Sequence, residues 1–497
     1  MVENSEQEKN ETGGQSKPPE LNPEYWSGYD DDDVPAPPRI LLWGVVGLFI
    51  LCIIGAFAGI YIFREVLTPG RQVRVIGILP FMEEFLPSRP DPYSVMPTVE
   101  PVEDDALQML NNLSVPGATA TQMPEMTIVF TPTAVPTIEP TATIVIPTEI
   151  PTATPVPDIG PTVETSDVNN TAPLNTTNAW PANFRNYGFR YEEQTWNNCG
   201  PANITMALSY YGWLNNQEYA AERLKPQRED NNVGPDELVD FANDYTDVRA
   251  LTRMGGDLDL LRILVANEFP VIVERGHMFE GYDWLGHYQT IVGYDDAQRG
   301  FYILDSYLGR GENPDIIFED YDALDSDWRA FNRTFIVVYH PSSEGELMRL
   351  LGDRADPMGA ARHALDISTN EANTNPQDGF AWFNMGTSLT ELGRYQEATT
   401  AFDYTANLEL LSAHWRMTWY QFAPFEAYFY GERYDDVLGY VNANLSNNGK
   451  YAEETYYWQG MVYAVQGNNN AAREAFNNAL GNNHLFTPAQ EALDALN

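Results

Sequence analysis

Cys199 is the residue whose setting most clearly favours catalytic chemistry. It lies in the stretch QTWNNCGPANITMALSYYGW (residues 194–213), directly before Gly200 and Pro201 and a run with helical spacing. Proline is favoured in the first turn of a helix, where its missing N–H is not needed. The pattern therefore predicts Cys199 at a helix N-terminus, where the helix dipole favours the nucleophilic thiolate. The alternative is a small buried thiol that only packs.

A thiolate nucleophile works with a base, an orienting group and an oxyanion donor, and the sequence offers a candidate for each. His287 stands in GHYQTIVGYDD, immediately before a predicted strand, and Asp305 ends the next predicted strand, GFYILDS. Antiparallel pairing of these strands would bring Asp305 beside the imidazole. The side-chain amide of Gln194 and the backbone N–H of Cys199 could stabilise an oxyanion.

Two further histidines of this region are weaker candidates for the base. His277 lies in ERGHMFEGYDW, and we expect it in a loop or at the surface. His340 precedes Pro341 at the domain edge, where packing or capping is the simpler role. Only His287 adjoins a predicted strand that pairs naturally with the strand bearing Asp305.

The order of these motifs resembles the papain-clan peptidases of the bacteriocin double-glycine leader-peptidase family, in its broad peptidase-like branch. The resemblance covers about residues 184–340. It implies that Cys199 is the nucleophile, His287 the general base, Asp305 the orienting residue and Gln194 the oxyanion donor. The implied activity is hydrolysis of peptide bonds, with a peptide or protein as the substrate.

The sequence departs from that family in two ways. Asn198 precedes the cysteine, where the leader peptidases usually have Asp, and the phosphate-loop motif GxxxxGK[ST] of a fused exporter ATPase does not occur. Cleavage after Gly-Gly is therefore not implied. Two other classes of function stay open: a domain that only captures peptides, and other thiol chemistry, such as acyl transfer or amide hydrolysis, on cell-envelope peptides. No cofactor or metal is predicted.

The elements around these residues predict an α+β, papain-like fold. Three stretches have helical spacing: Cys199 to Tyr211, Pro235 to Asn243 and Asp257 to Asn267. They are followed by the β-rich runs PVIVERG, YQTIVGYD, GFYILDS and RTFIVVYH, which Gly and Asp punctuate. Helices first and strands later are typical of helices packed on an antiparallel sheet.

The C-terminal part is helical and internally repetitive. AWFNMGTSLTELGRYQEATTAFDYTANL aligns with YYWQGMVYAVQGNNNAAREAFNNAL, so that Gly386 matches Gly460 and Phe402 matches Phe476. The stretch between them is a degenerate copy, and 356–373 predicts one more helix. This pattern resembles the tetratricopeptide repeat over about 376–483 and implies an all-α domain that binds a protein partner. An ordinary helical bundle is the alternative.

The N-terminal third predicts a membrane anchor. Ile40 to Phe63 is a run of 24 residues without a charge, or roughly 36 Å of helix against a hydrocarbon core of about 30 Å. Residues 131–160 contain 15 Pro or Thr, which favours an extended, polyproline-like stalk. The predicted parts are an acidic disordered tail (1–38), a transmembrane helix (39–64), a juxtamembrane segment and Pro/Thr-rich linker (65–182), a cysteine peptidase-like domain (183–342) and tetratricopeptide-like repeats (343–497).

Charge and cysteine content restrict the remaining possibilities. The formal net charge is −43 over 497 residues, which argues against binding nucleic acid. The two cysteines, Cys52 and Cys199, cannot form a CxxC site, and Cys52 lies in the apolar run. Three arginines follow that run and one precedes it, a bias that alone favours a cytoplasmic C-terminal side. The long stalk favours the opposite, and we expect a single-pass cell-membrane protein with its C-terminal domains outside the cytoplasm.

Overall fold

The computed structural model describes most of the chain after residue 38 and divides it into two compact units, Met1–Val66 and Leu67–Asn497. The acidic tail (1–38) and the Pro/Thr-rich segment 131–160 lie outside the described residues. The described residues are 39–66, 75–76, 78–85, 96–97, 99–114, 180–278, 284–308 and 316–496.

The first unit contains helix α1 (Arg39–Tyr61), which continues as a π-helical turn over Ile62–Val66. Its window Gly47–Arg64 has a mean hydropathy of 2.1, and the helix is long and apolar enough to cross a membrane. Large apolar side chains such as Leu48 and Phe57 are exposed along it. Such a surface is unfavourable in water and suits a lipid environment.

Helix α2 (Glu103–Leu113) is an element that the sequence analysis did not single out within the range 65–182. Its residues Ala106, Met109 and Leu110 are buried in the same hydrophobic core as the C-terminal helices. The backbone N–H of Val102 just before the helix donates to the side-chain carbonyl of Asn407 at 2.9 Å. This part of the predicted linker therefore belongs to the C-terminal helical core.

Seven strands of the described residues form one antiparallel sheet with the order β2-β7-β3-β4-β5-β6, and β1 pairs with the far end of β4. This antiparallel arrangement agrees with the predicted fold class. The predicted runs correspond to β3, β4, β5 and β7, whereas β1, β2 and β6 were not predicted. The strands are β1 (Asn183–Arg185), β2 (Arg249–Arg253), β3 (Val271–Met278), β4 (Trp284–Asp295), β5 (Gly300–Leu304), β6 (Ile317–Asp320) and β7 (Phe335–Tyr339).

Helices cover both faces of the sheet because neighbouring strand residues point in opposite directions. Ile272 and Ile336 pack with Leu208 and Phe241 on one face. Val271 on the same strand as Ile272 belongs to the core on the other face. The helices around the sheet are α3 (Cys199–Ser209), α4 (Gln217–Leu224), α5 (Pro235–Tyr245), α6 (Leu258–Ala266) and α7 (Tyr321–Trp328). The runs predicted to be helical correspond to α3, α5 and α6.

The C-terminal helices form successive pairs joined by short turns. Helix α10 packs on α11 and α15 on α16, and in each pair a glycine of the first helix faces a phenylalanine of the second. A Cβ atom on Gly386 would lie 2.7 Å from the Phe402 ring, and one on Gly460 2.5 Å from Phe476. The helices are α8 (Glu344–Leu351), α9 (Pro357–Thr374), α10 (Gly379–Glu391), α11 (Tyr395–Asn407), α12 (Leu410–Ala413), α13 (Ala423–Tyr430), α14 (Tyr434–Leu445), α15 (Glu453–Val465), α16 (Asn469–Asn482) and α17 (Thr487–Ala495).

The degenerate middle copy corresponds to the pair α13 and α14. The turns of the outer pairs use Gly393 and Gly467, which have φ values of +69° and +75°. The equivalent position of the middle pair is Glu432, which has a φ of +60°. A residue with a side chain in this left-handed region lowers stability by roughly 1–2 kcal/mol. The middle turn therefore has the same backbone geometry as the other two although it lacks the glycine that favours this geometry.

Candidate active site

Cys199 is the first residue of α3, as the sequence predicted, and its side chain is partly exposed. Asn198 precedes the helix, and Pro201 lies in its first turn. Gly200 is closely packed, since a Cβ atom there would lie 3.3 Å from the side chain of Val233 and 3.6 Å from the ring of Tyr288 on β4. The thiol therefore stands at the N-terminal end of a helix whose following residues are buried, within reach of a ligand from outside.

His287 and Asp305 come together on neighbouring strands beside the thiol. His287 lies on β4 and Asp305 directly follows β5, which pairs with β4 in an antiparallel register. The Nε2 atom of His287 is 3.1 Å from Oδ1 of Asp305, and a second hydrogen bond joins the imidazole to Cys199. Since Nε2 is engaged with Asp305, the nitrogen that faces the thiol is Nδ1.

The electrostatics of this arrangement favour an ion pair. Burial by itself raises the pKa of the Cys199 thiol, but the hydrogen bond and positive charge of His287 outweigh it, and the pKa lies below its ordinary value. Burial lowers the pKa of His287, but the Asp305 carboxylate and the thiolate raise it to about 9. Near neutral pH the imidazole of His287 is therefore protonated, and its positive charge favours the thiolate of Cys199, the reactive form of a thiol nucleophile.

The Asp305 carboxylate is held on both of its oxygens. Oδ1 accepts from the backbone N–H groups of Tyr307 and Leu308, each at 2.7 Å. Oδ2 accepts from Nε2 of Gln289 at 2.5 Å. Burial opposes the charged form, but His287 and these donors keep the pKa of Asp305 well below its ordinary value. The carboxylate thus stays ionised and keeps one orientation toward the imidazole.

Gln289 is a supporting residue that the sequence analysis missed. It lies two residues after His287 on β4, and its side-chain carbonyl accepts from Nη1 of Arg275 at 2.8 Å. The Arg275 guanidinium is itself paired with Glu319 and Asp327. Residues two apart on a strand point to the same face of the sheet. The spacing of two residues between His287 and Gln289 could therefore have indicated that Gln289 lies at the site.

Gln194 lies at the site with its amide orientation determined by Ser306. Its backbone N–H donates to the carbonyl of Ser306 at 2.8 Å, and its side-chain Oε1 accepts from the Ser306 hydroxyl at 2.9 Å. With the carbonyl oxygen bonded in this way, the Nε2 donor points away from Ser306. The N–H of Cys199, at the start of α3, has no helical acceptor. These are the two donors that the sequence analysis assigned to an oxyanion.

Asn203 is a second residue that sequence reasoning missed. One turn after Cys199, its Nδ2 donates to the carbonyl of Tyr288 at 2.8 Å and to that of Cys199 at 3.0 Å. Its Oδ1 accepts from the hydroxyl of Thr290 at 2.9 Å. Asn203 thus joins α3, the helix that begins at Cys199, to β4, the strand that carries His287. The sequence feature that could have identified Asn203 is a polar residue on the predicted buried side of a helix.

The other histidines of this domain have different partners. His277 lies on β3 rather than in a loop, and its Nδ1 is 2.7 Å from Oδ2 of Asp327, beside Arg275. The ring of His340 accepts from the N–H of Ser342 and caps the short helix Pro341–Ser343. Among the described residues, no group of three or more His, Cys, Asp or Glu side chains is placed to hold a metal ion.

Residues 186–335 match the model of the Peptidase_C39 like family, which supports a papain-like peptidase domain in this part of the chain. A crystal structure from Bacillus anthracis, described as a C39-like peptidase, is 15% identical over 30% of this chain and 92% of that chain, with a TM-score of 0.25. A structure described as the MamA RS-1 ArsTM double mutant is 20% identical over 31% of this chain and 92% of that chain, with a TM-score of 0.23. No curated protein matches the sequence.

Proposed function

We propose that this protein is a membrane-anchored cysteine peptidase that hydrolyses peptide bonds through Cys199, His287 and Asp305. The observation that carries the proposal is the hydrogen-bonded series from the thiol to the imidazole and on to the carboxylate, with the thiol at a helix N-terminus. The family match over residues 186–335 supports the same class of chemistry.

In the first half of the reaction the Cys199 thiolate attacks the carbonyl carbon of the peptide bond. The carbonyl oxygen becomes an oxyanion, which accepts hydrogen bonds from Nε2 of Gln194 and the N–H of Cys199. As the C–N bond breaks, the His287 imidazolium gives its Nδ1 proton to the leaving amine. The products of this half are a free amine and a thioester on Cys199.

In the second half a water molecule replaces the amine. Neutral His287 takes a proton from the water as its oxygen attacks the thioester carbon. The C–S bond then breaks, the carboxylic acid product leaves, and the thiolate–imidazolium pair is restored. Asp305 stays ionised throughout both halves of the reaction. Its negative charge stabilises the His287 imidazolium whenever the imidazolium forms.

The remaining parts of the chain suggest where this chemistry takes place. Helix α1 would anchor the protein in the cell membrane, and the Pro/Thr-rich segment would carry the catalytic domain away from the membrane, outside the cytoplasm. The paired C-terminal helices, with a glycine against a phenylalanine in each outer pair, support a tetratricopeptide-like array that binds a protein partner. The net charge of −43 favours protein over nucleic-acid partners.

The chain offers a matched pair of cysteines for the test. The full-length protein in detergent is treated with a peptide that carries a chloromethyl ketone, and labelling is read by mass spectrometry. We expect labelling and peptide hydrolysis in the wild type and in Cys52→Ala, and neither in Cys199→Ala at an unchanged thermal midpoint. Hydrolysis that survives in Cys199→Ala would refute the proposal. Binding of peptides by the wild type without labelling or hydrolysis would favour the peptide-capture function instead.

A further inference from the structure

A cavity of about 400 Å³ lies where the peptidase-like domain meets the C-terminal helices. Glu274 of β3 and Phe331 line it from the peptidase-like side, and Tyr420 and Phe422 line it from the helical side. Its size is in the range of sites that hold a single side chain or a small ligand. The two parts of the second unit thus build one concave surface together.

This cavity lies next to the nucleophile. Burial raises the pKa of both Glu274 and Tyr420, and in each case the charge of the Cys199 thiolate raises it further. Tyr420 is hydrogen-bonded to the backbone of Gly286, the residue directly before His287. A Cβ atom on Gly286 would lie 3.0 Å from the Tyr420 ring. A ligand in the cavity would therefore sit close to the reacting groups.

Carboxyl groups predominate among the ionisable side chains of the cavity wall. Glu274 is only 4% exposed, whereas Asp236 and Glu391 are exposed and lie at the rim. Arg253 is the basic residue of the wall, and its guanidinium already donates to backbone carbonyls, including that of Ala355 at 2.6 Å. Among the residues that the structure describes, the wall therefore has three carboxyl groups and one guanidinium, which is already hydrogen-bonded.

Glu274 lacks a cationic partner among the residues that the structure describes. Its hydrogen bond is with the hydroxyl of Tyr288, and that hydroxyl also lies 2.9 Å from the carbonyl of Val233, which competes for its single proton. A buried carboxyl group without a counter-charge is costly to ionise, and an arriving cation favours ionisation. The carboxyl group of Glu274 therefore favours the binding of a positively charged group in the cavity.

We propose that the cavity binds a lysine or arginine side chain of the peptide substrate, with its cationic end at Glu274. The rings of Tyr420 and Phe331 would cover the methylene groups and contact the cation through their faces. The inference rests on the proposed function for the assignment of this peptide as a substrate. It makes the C-terminal helices a part of the specificity site, because Tyr420 comes from them.

The test measures peptide binding by a variant that cannot hydrolyse the peptide. In full-length Cys199→Ala, affinity is measured by calorimetry for two peptide pools that differ in one fixed position, arginine or citrulline, which has nearly the same shape without the charge. We expect the arginine pool to bind at least tenfold more tightly, with proton release as Glu274 ionises. Adding Glu274→Gln or Asp236→Asn should reduce the difference. Adding Asp240→Asn, which removes a charge on the same helix as Asp236 but outside the cavity, should preserve it.

The outcomes separate this inference from the proposed function. Equal affinity for the two pools would overturn the cationic site. A difference that persists undiminished in both Glu274→Gln and Asp236→Asn would overturn its placement in this cavity. If Glu274→Gln does not fold, the exposed Asp236→Asn decides the placement alone. Hydrolysis is measured separately on the wild type, so a protein that selects arginine without cleaving it would contradict only the peptidase proposal.

Discussion

Gln289 donates from Nε2 to Oδ2 of Asp305 at 2.5 Å, on the carboxylate oxygen opposite the one that faces His287. The donor is in turn fixed by Arg275, which bonds the Gln289 carbonyl at 2.8 Å. The orientation of the proposed catalytic carboxylate is thus determined by a chain of side chains that ends in the Glu319 and Asp327 ion pairs.

Gln289→Leu should lower kcat/KM by on the order of 10–100-fold, because a small misplacement of the reacting groups is costly. Gln289 also holds the Asp305 carboxylate toward the imidazole, so its loss should weaken the hydrogen bond between His287 and Asp305 and lower the pKa of His287. A stopped assay across pH would show the basic limb of the rate profile moving to lower pH. An unchanged profile with only a lower thermal midpoint would mean that Gln289 has a structural role alone.

The rate profile of the wild type should follow the thiolate–imidazolium pair. At low pH the thiolate is protonated, but the pKa of Cys199 is below its ordinary value, so activity should persist below the pH expected for an ordinary thiol. At high pH the imidazolium loses the proton that the leaving amine needs, and the pKa of His287 is about 9. We expect kcat/KM to fall above about pH 9, and Asp305→Asn to move that fall toward lower pH. A wild-type profile that falls near pH 6.5 would contradict the ion pair.

His287 and His277 provide a comparison of two histidines on neighbouring strands of one sheet. His287→Ala should reduce kcat/KM by roughly 10²–10⁴-fold or more, the range for loss of a general acid–base group. His277→Ala removes a bond to Asp327 and should change kcat/KM by much less. Steady-state kinetics on both variants decides between them. A larger loss at His277 would refute the assignment of the base.

Two glycines of the C-terminal helices should respond in opposite directions to the same substitution. Gly460→Ala places a Cβ atom 2.5 Å from the Phe476 ring, and overpacking of this kind costs about 1–3 kcal/mol. Gly481 has open space around its Cβ position, and alanine there should stabilise the helix by up to about 1 kcal/mol. Thermal unfolding of both variants measures the contrast. Equal midpoints would mean that α15 and α16 pack less closely than described.

The membrane orientation can be tested on spheroplasts that express the protein with a tag at Met1. If the C-terminal domains lie outside the cytoplasm, added protease should degrade the Cys199 domain while the tag survives. The reason for this expectation is the long Pro/Thr-rich segment after the apolar run. Protection of the Cys199 domain until lysis would instead show that the arginines after the run determine the orientation.

Local features of this protein could be predicted because they depend on short stretches of chain. The start of α3 at Cys199 follows from Gly200-Pro201 and helical spacing. The β-branched residues after His287 predicted a strand there, although β4 begins at Trp284 and so includes His287 itself. The apolar run before Arg64 has the length and hydropathy of a membrane span. The repeated glycines and phenylalanines indicated close helix pairs, and the pairs α10–α11 and α15–α16 have that contact.

Other features were decided only by the tertiary structure. That Gln289 and Asn203 support the site depends on which strands are neighbours and how α3 packs on them. Tyr420 reaches Gly286 from the C-terminal helices, and α2 packs into their core from the predicted linker. Periodicity in a sequence reports the conformation of a segment and its apolar face. Contacts between distant segments depend on the shape complementarity of whole faces, which no local pattern records.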